Sequence, residues 1–285
     1  MKTLNKADIR TLLADNFERE SVYLYNDPEL GPLFDKPVMA VASADDPFFI
    51  KFKEIIGPFH WTPDELLERY KPGTKAKSVI SWYLPTSERV RTANRKEDYY
   101  PALEWSFHRT YGGHMMDRIV LRMIQDLSCA GCKGAAARFD SGNQVRRDEK
   151  VGWTSPWSER HAAFTAGLGT FGLSGGLITE KGIAHRMGSV ITDLELEPDE
   201  RPYGDDPFAW CLGANGGSCR VCKSRCPVGS VGNNQAERDK DLCEGHDGTT
   251  IPEHQGALLD FKGEYGCGLC QTGVPCEFRN PRSKA

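Results

Sequence analysis

The stretch Cys219-Arg-Val-Cys222-Lys-Ser-Arg-Cys226-Pro227 decides how the last third of this 285-residue chain is built. It reproduces the final three positions of C-x2-C-x2-C-x3-C-P, the run by which bacterial two-cluster ferredoxins hold [4Fe-4S] clusters; there three thiolates hold one cluster and the fourth crosses to the other. The first cysteine of that pattern falls on Gly216, so the nearest substitute is Cys211, displaced along the loop Leu212-Gly213-Ala214-Asn215-Gly216-Gly217. Eight cysteines lie in this tail, Cys211, Cys219, Cys222, Cys226, Cys243, Cys267, Cys270 and Cys276, the number that two cubane clusters require. Crossed ligation assigns Cys211, Cys219, Cys222 and Cys276 to one cluster and Cys226, Cys243, Cys267 and Cys270 to the other. A pair of four-cysteine zinc sites also uses C-x2-C units, but zinc has no special use for C-x3-C-P.

Bulk properties agree with metal ligation. The tail is rich in Cys, Gly and Pro and poor in Leu, Ile and Val, so it needs something beyond an apolar core to hold it. The expected divisions are an N-terminal α/β segment over 1–75, a cofactor-binding core over 76–204 and a ferredoxin-like domain over 205–285. A formal charge of -4 and a pI near 6.0 give no basic field for a polyanion, so nucleic acid is an unlikely partner. The opening residues, MKTLNKADIRTLLADNF, lack an apolar export core and a twin-arginine pair, and no window approaches eighteen apolar residues. The expectation is a cytoplasmic protein with no membrane partner, whose thiols ligate metal rather than form disulfides. Cys129-Ala-Gly-Cys132 stands apart from the other eight and reads first as two idle thiols, with a redox or metal role as the alternative.

Along the chain, helical periodicity covers Leu4 to Glu20, with Ile9, Leu12, Leu13 and Phe17 on one face. A strand is expected over 37–42, a helix from Phe48 to Ile56 capped at Asp45-Asp46-Pro47, and another opening at Thr62-Pro63-Asp64-Glu65. Ser78 to Leu84 reads as a strand ended by Pro85. Ala102 to Leu127 reads as helix, with a break at Gly112-Gly113, and Ala135 to Phe139 as strand. Ser155 and Pro156 are expected to start a helix running to about Ala166, which Gly167 to Gly172 ends. Two strands follow, Gly176 to Thr179 and Gly188 to Leu194, joined by a turn at Lys181-Gly182. The pattern is α/β, tending to α+β.

Three stretches carry a family likeness: Arg160-His161-Ala162-Ala163-Phe164-Thr165-Ala166-Gly167-Leu168-Gly169-Thr170-Phe171-Gly172, Gly176-Leu177-Ile178-Thr179, and Arg186-Met187-Gly188-Ser189-Val190-Ile191-Thr192-Asp193. With the C-x2-C-x3-C-P segment downstream, they closely resemble the core of epoxyqueuosine reductases and reductive dehalogenases, with weaker likeness back through Ser78 to Pro85. The chain looks like a divergent cytosolic member. The resemblance implies a nitroreductase-like core that binds cobalamin, with the clusters passing electrons to it for reduction of a small-molecule substrate. It implies cofactor contacts at Gly167, Leu168, Gly169, Thr170, Phe171, Gly172, Ile178, Thr179, Gly188 and Ser189. It makes His161 and Arg186 candidate catalytic groups, against the alternatives of a satisfied core histidine and a solvated strand arginine. Trp153, Trp157 and Phe171 are candidates for an apolar pocket wall. An external low-potential donor such as a ferredoxin or flavodoxin is implied as partner. Flavin in place of cobalamin, or an electron carrier with no second cofactor, are the alternatives. Epoxyqueuosine reductases carry an acidic Asp just before their Pro-x-x-Glu-Arg stretch; here that position is Trp153, and Asp140, Asp148 and Glu149 lie upstream. The chain also lacks their C-terminal helical-repeat region for tRNA, which argues against tRNA as substrate.

Overall fold

A computed structural model describes residues 4–25, 31–259 and 265–283. Its centre is a four-stranded antiparallel sheet in the order β1-β2-β8-β3, formed by β1 (Val38–Ser43), β2 (Ser78–Pro85), β8 (His185–Thr192) and β3 (Gly134–Ala135). β2 pairs with β1 from Val38↔Tyr83 to Ser43↔Ser78, and with β8 from Ser78↔Thr192 to Pro85↔His185. All eight residues of β2 are buried because both faces of the sheet are covered. Val79, Tyr83, Met187 and Ile191 face one apolar cluster; Ile80, Trp82, Leu84 and Val190 face the other.

The second cluster is covered by α1 (Lys6–Tyr25) and α5 (Leu103–Cys129). Ile9, Leu13 and Phe17 of α1 are buried there, as its periodicity predicts. The first cluster receives α2 (Pro47–Ile55), α3 (Pro63–Tyr70) and α6 (Glu159–Thr165). The caps of α2 and α3 are those expected: Asp46 accepts from the Phe48 N–H, and Thr62 and Glu65 form a reciprocal capping box. α4 (Glu88–Arg95) had no clear sequence signal. Two small hairpins complete the core, β4 (Arg146–Asp148) with β5 (Gly152–Thr154), and β6 (Gly169–Phe171) with β7 (Leu177–Thr179). Among the described residues the tail carries three short α-helices, α7 (Val221–Ser224), α8 (Lys240–Gly245) and α9 (Ile251–Leu259). Its Trp210, Cys211, Ala214, Val231 and Val274 are buried in the same cluster as Phe164 and Ile178.

Four expectations are corrected. α5 runs unbroken through Gly112-Gly113; a Cβ on Gly112 would lie 2.5 Å from Cζ of Phe34, so glycine there admits a ring rather than ending a helix. Only Gly134 and Ala135 pair with β8, because the chain turns at once into a 3-10 turn over Ala137–Phe139, where Arg138 bonds to Asp117 and to the Gly113 carbonyl of α5. α6 starts at Glu159, not at Pro156: Ser155 Oγ donates to the Trp157 carbonyl (2.7 Å) and Trp157 N–H to Asn143 Oδ1 (3.0 Å), so this segment ties loops together before the helix winds. The turn at Lys181-Gly182 links the two strands as expected, but the second runs from His185 to Thr192 rather than from Gly188 to Leu194, because its pairing with β2 begins at Pro85↔His185. Among the described residues no helix is long and apolar enough to cross a membrane.

Candidate functional site

Cys211, Cys219, Cys222 and Cys276 line one cavity, whose other walls include Leu173, Ile178, Ile183 and Val274. Arg220 organises the displaced cysteine: its Nη1 donates to the carbonyls of Gly213 (2.9 Å), Gly217 (2.9 Å) and Cys219 (2.8 Å), and this folds the glycine loop back so that Cys211 stands beside Cys219. The loop turns through left-handed backbone at Asn215 (φ 51°) and Gly216 (φ 81°). The Gly213 N–H points at Cys211 Sγ (3.4 Å). Cys276 reaches the cavity from the far end of the tail, fastened where Ile183 N–H donates to its carbonyl (2.8 Å). Next to it, the buried Glu277 accepts from Arg91 (3.3 Å), from Arg95 (2.6 and 3.1 Å) and from the Gly273 N–H (2.7 Å). Burial, then the neighbouring thiols Cys211 and Cys219, pushes Cys222 up to about 11. Cys276 is raised further, for burial first and then for Cys222, Cys211 and Cys219.

The other four thiols adjoin one another. Burial raises Cys243, Cys267 and Cys270 (the last to about 12), and the thiols then act on one another: Cys226 on Cys243, Cys270 and Cys243 on Cys267, Cys243 and Cys226 on Cys270. Ser230 N–H donates to Cys226 Sγ (3.2 Å), and Arg238 Nη2 lies 3.9 Å from Cys243 Sγ. Asp247 links two of the four, with Oδ2 4.0 Å from Cys243 Sγ and Oδ1 accepting from the Cys267 N–H (2.9 Å). Among the described residues no three His, Cys, Asp or Glu side chains close on a point suited to a single metal ion. The first four thiols stand round a void instead. Enclosed sulfur donors of this kind, with N–H groups aimed at sulfur, fit an iron-sulfur cluster.

Beside the second group lies a cationic cleft. Arg160 is exposed, yet burial first and then Arg238 draw its guanidinium down to about 10. Protein packs round the guanidinium while part of the residue stays open to water. Lys240 is lowered by burial, Arg238 and Arg160. His161 is held well below its ordinary value, by burial first and then by His60, Arg160 and Lys240, so its imidazole is neutral. Its Nδ1 is 2.7 Å from Ser158 Oγ, and its ring packs on Phe52 and Phe171.

The structure does not bring the two candidate catalytic groups together. Arg186 Nη2 donates to the Arg109 carbonyl of α5 (2.5 Å), on the face of the sheet opposite α6 and His161. Among the candidate cofactor contacts, the glycines close on protein atoms: a Cβ on Gly167 would lie 2.5 Å from the Glu200 carbonyl oxygen, one on Gly169 2.2 Å from that of Ile178, and one on Gly188 2.6 Å from Met116 Sδ. Leu168 and Phe171 are core residues, Thr170 Oγ1 accepts from the Trp210 N–H (3.0 Å), Thr179 Oγ1 donates to the Gly182 carbonyl (2.8 Å), and Ser189 Oγ accepts from Trp157 Nε1 (3.1 Å). Gly172 and Ile178 wall the four-thiol cavity. Of the candidate aromatic wall, Trp157 and Phe171 are core, and Trp153 alone is half-buried, its carbonyl accepting from Lys240. Asp140 is clamped by Arg69, Asp148 caps its own hairpin turn, and Glu149 is exposed on that turn. Arg220, Arg238 and Lys240 carried no sequence signal: Arg220 acts through carbonyls of its own irregular loop, and Arg238 and Lys240 meet the distant Gly175 and the Val151 and Trp153 carbonyls.

No protein-family model matches the chain. Tetrachloroethene reductive dehalogenases from Desulfitobacterium hafniense and Dehalobacter restrictus are each 37% identical to it over 181 residues, 62% of this chain and 27% of theirs. The chain thus spans about a quarter of the length of these curated relatives. A solved catabolic reductive dehalogenase superposes on 86% of this chain and 30% of its own, with 13% identity and a TM-score of 0.52. An epoxyqueuosine reductase from Bacillus subtilis covers 94% of this chain and 66% of its own, with 20% identity and a TM-score of 0.49. Over 181 residues the chain is thus similar in sequence to tetrachloroethene reductive dehalogenases, and it shares the fold of a solved catabolic reductive dehalogenase.

Proposed function

We propose that this chain is an iron-sulfur reductase in which two [4Fe-4S] clusters, on a ferredoxin-like segment over 205–285, pass electrons to a cobalamin held by a nitroreductase-like core over 76–204, with 1–75 packed on it, for reduction of a small molecule. The observation that carries the reading is the cavity shared by Cys211, Cys219, Cys222 and Cys276, the set that crossed ligation requires. Cys226, Cys243, Cys267 and Cys270 would hold the second cluster, next to the cationic cleft. A buried polar atom left without a partner at the cleft, Arg238 Nε, suits a cofactor rimmed with amide groups. When bound, the clusters supply single electrons and cobalamin a strongly reducing cobalt centre. The chain's own residues do the rest. Gly213 and Ser230 N–H groups stabilise sulfur charge, Arg238 adds a cation at Cys243, and neutral His161 is the candidate proton-handling group within the cleft's field. Arg186, on the other face of the sheet, is left with a structural role. An external low-potential donor such as a ferredoxin or flavodoxin would feed the clusters in the cytoplasm.

The closure of the predicted glycine contacts on protein atoms supports a second reading, flavin or no second cofactor on an electron-transfer protein serving a partner reductase. Anaerobic reconstitution with iron and sulfide, followed by absorption and EPR titration with cobalamin, separates the two. A base-off cobalamin signal supports the first reading; a flavin released on denaturation, or clusters that reduce reversibly with no cobalamin bound, supports the second.

A further inference from the structure

We infer that the cationic cleft is an oxyanion site, in which Arg160 and Lys240 take a carboxylate or phosphate group. This rests on the reading of the cleft as the chamber where cofactor and substrate meet, and it assigns that chamber a ligand chemistry.

The cations come from separate segments, Arg160 from the start of α6, Arg238 and Lys240 from the entry to α8. Their partners are neutral or sulfur. Arg160 Nη1 donates to the Gly175 carbonyl (2.5 Å), and Lys240 Nζ to the carbonyls of Val151 (2.6 Å) and Trp153 (3.0 Å). Arg238 packs against Gly175, reaches towards Cys243 Sγ, and leaves a buried Nε without a partner. Among the described residues none of the three makes an ion pair, whereas Arg69, Arg91, Arg95, Arg122, Arg138, Arg147 and Arg201 all do. The carboxylates beside Lys240 are already engaged: Asp239 caps α8, and Asp241 is paired with Arg147. Asp247, the remaining carboxylate near Arg238, sits against Cys243 and the Cys267 N–H, so Arg160 and Lys240 carry positive charge that no carboxylate of the described residues pairs with. Arg238 serves the thiols. Arg160 brings a planar fork and Lys240 a point charge, the pair of donors that an oxyanion accepts from.

The test uses the cluster-reconstituted chain with inorganic phosphate and benzoate as probes, followed by calorimetry. Wild type should bind at least one of them, and Arg160→Gln and Lys240→Gln should each weaken binding roughly ten- to hundredfold, with iron content and circular dichroism unchanged. Arg160→Lys should lose less than Arg160→Gln, which guards against a variant that merely misfolds. Neither probe binding to wild type, or equal affinity in wild type and variants, overturns the inference. It is overturned as well if the variants shift only the cluster midpoint potentials. Cobalamin and cobinamide, which lacks the nucleotide phosphate, separate the two sources. Loss of affinity for cobalamin alone identifies the cofactor phosphate as the oxyanion; weakened benzoate binding to cobalamin-loaded protein identifies the substrate. If no cobalamin binds while phosphate binding still depends on Arg160 and Lys240, the cofactor reading fails and the oxyanion site stands.

Discussion

Replacing Glu277 with Gln tests how the fold holds Cys276 in its cavity. The carboxylate is 2% exposed and receives four hydrogen bonds, from Arg91, twice from Arg95, and from the Gly273 N–H. The amide keeps the shape but loses the charge, and it turns an NH2 group toward one guanidinium. Breaking a buried pair from one side costs about 3–5 kcal/mol. The Arg95 side chain is 42% exposed and regains water when released, while that of Arg91 is 11% exposed and does not. The loss should therefore fall at the lower end, about 3 kcal/mol. Urea unfolding of the anaerobically reconstituted protein, read by circular dichroism and cluster absorption together, measures it. Because Glu277 follows Cys276 directly, the variant should also release iron at lower urea than wild type. A midpoint within about 0.5 kcal/mol of wild type, with full iron retention, would refute the account of how the tail is clamped.

The crossed assignment predicts that Cys276→Ser and Cys219→Ser lose the same cluster; about half of the iron and the same EPR signal should vanish in both, and two different residual signals would sink it. Cys211→Ser should lower iron as well, and unchanged iron would remove the displaced ligand. Burial holds His60 and His185 at about 4, and His108 and His161 well below their ordinary value. Unfolding lets each take up a proton near pH 6.5, so the stability they allow is complete above that pH and falls as pH drops towards 4, by about 1.4 kcal/mol per pH unit for each. His108→Gln should shallow that slope by one histidine's share, and an unchanged slope in urea midpoints from pH 7 to 5 would count against the burial argument. Gly169→Ala should unfold the β6-β7 hairpin or cost several kcal/mol, since the new methyl meets the Ile178 carbonyl at 2.2 Å; a stable, fully loaded variant would show that the backbone there is free to move.

Local chemistry was legible where it is local. The Asp46 cap and the Thr62 and Glu65 box both report contacts made within a few residues. Gly112-Gly113 misled because a glycine pair inside a helix looks like a break until the ring of Phe34 is seen to occupy the space. Ser155 and Pro156 misled because the Pro156 carbonyl accepts from the Trp61 N–H and the next residue, Trp157, donates its N–H to Asn143, both partners distant in sequence. Cys219 and Cys222 stand together because their C-x2-C spacing fixes two donors at once, whereas Cys211 and Cys276 join them in the cavity only through the fold. Arg160 and Lys240 escaped notice because an unpaired cation is recognisable only by the carboxylates that fail to surround it.

The cavity's fourth thiol has a bearing on how the protein comes to be made. Cys211, Cys219 and Cys222 leave the ribosome well before Cys276, whose carbonyl accepts from the Ile183 N–H beside the cavity. On the proposed ligation, three of the four donors are therefore made before the fourth, and a cluster in this cavity would be completed only after translation has passed Cys276.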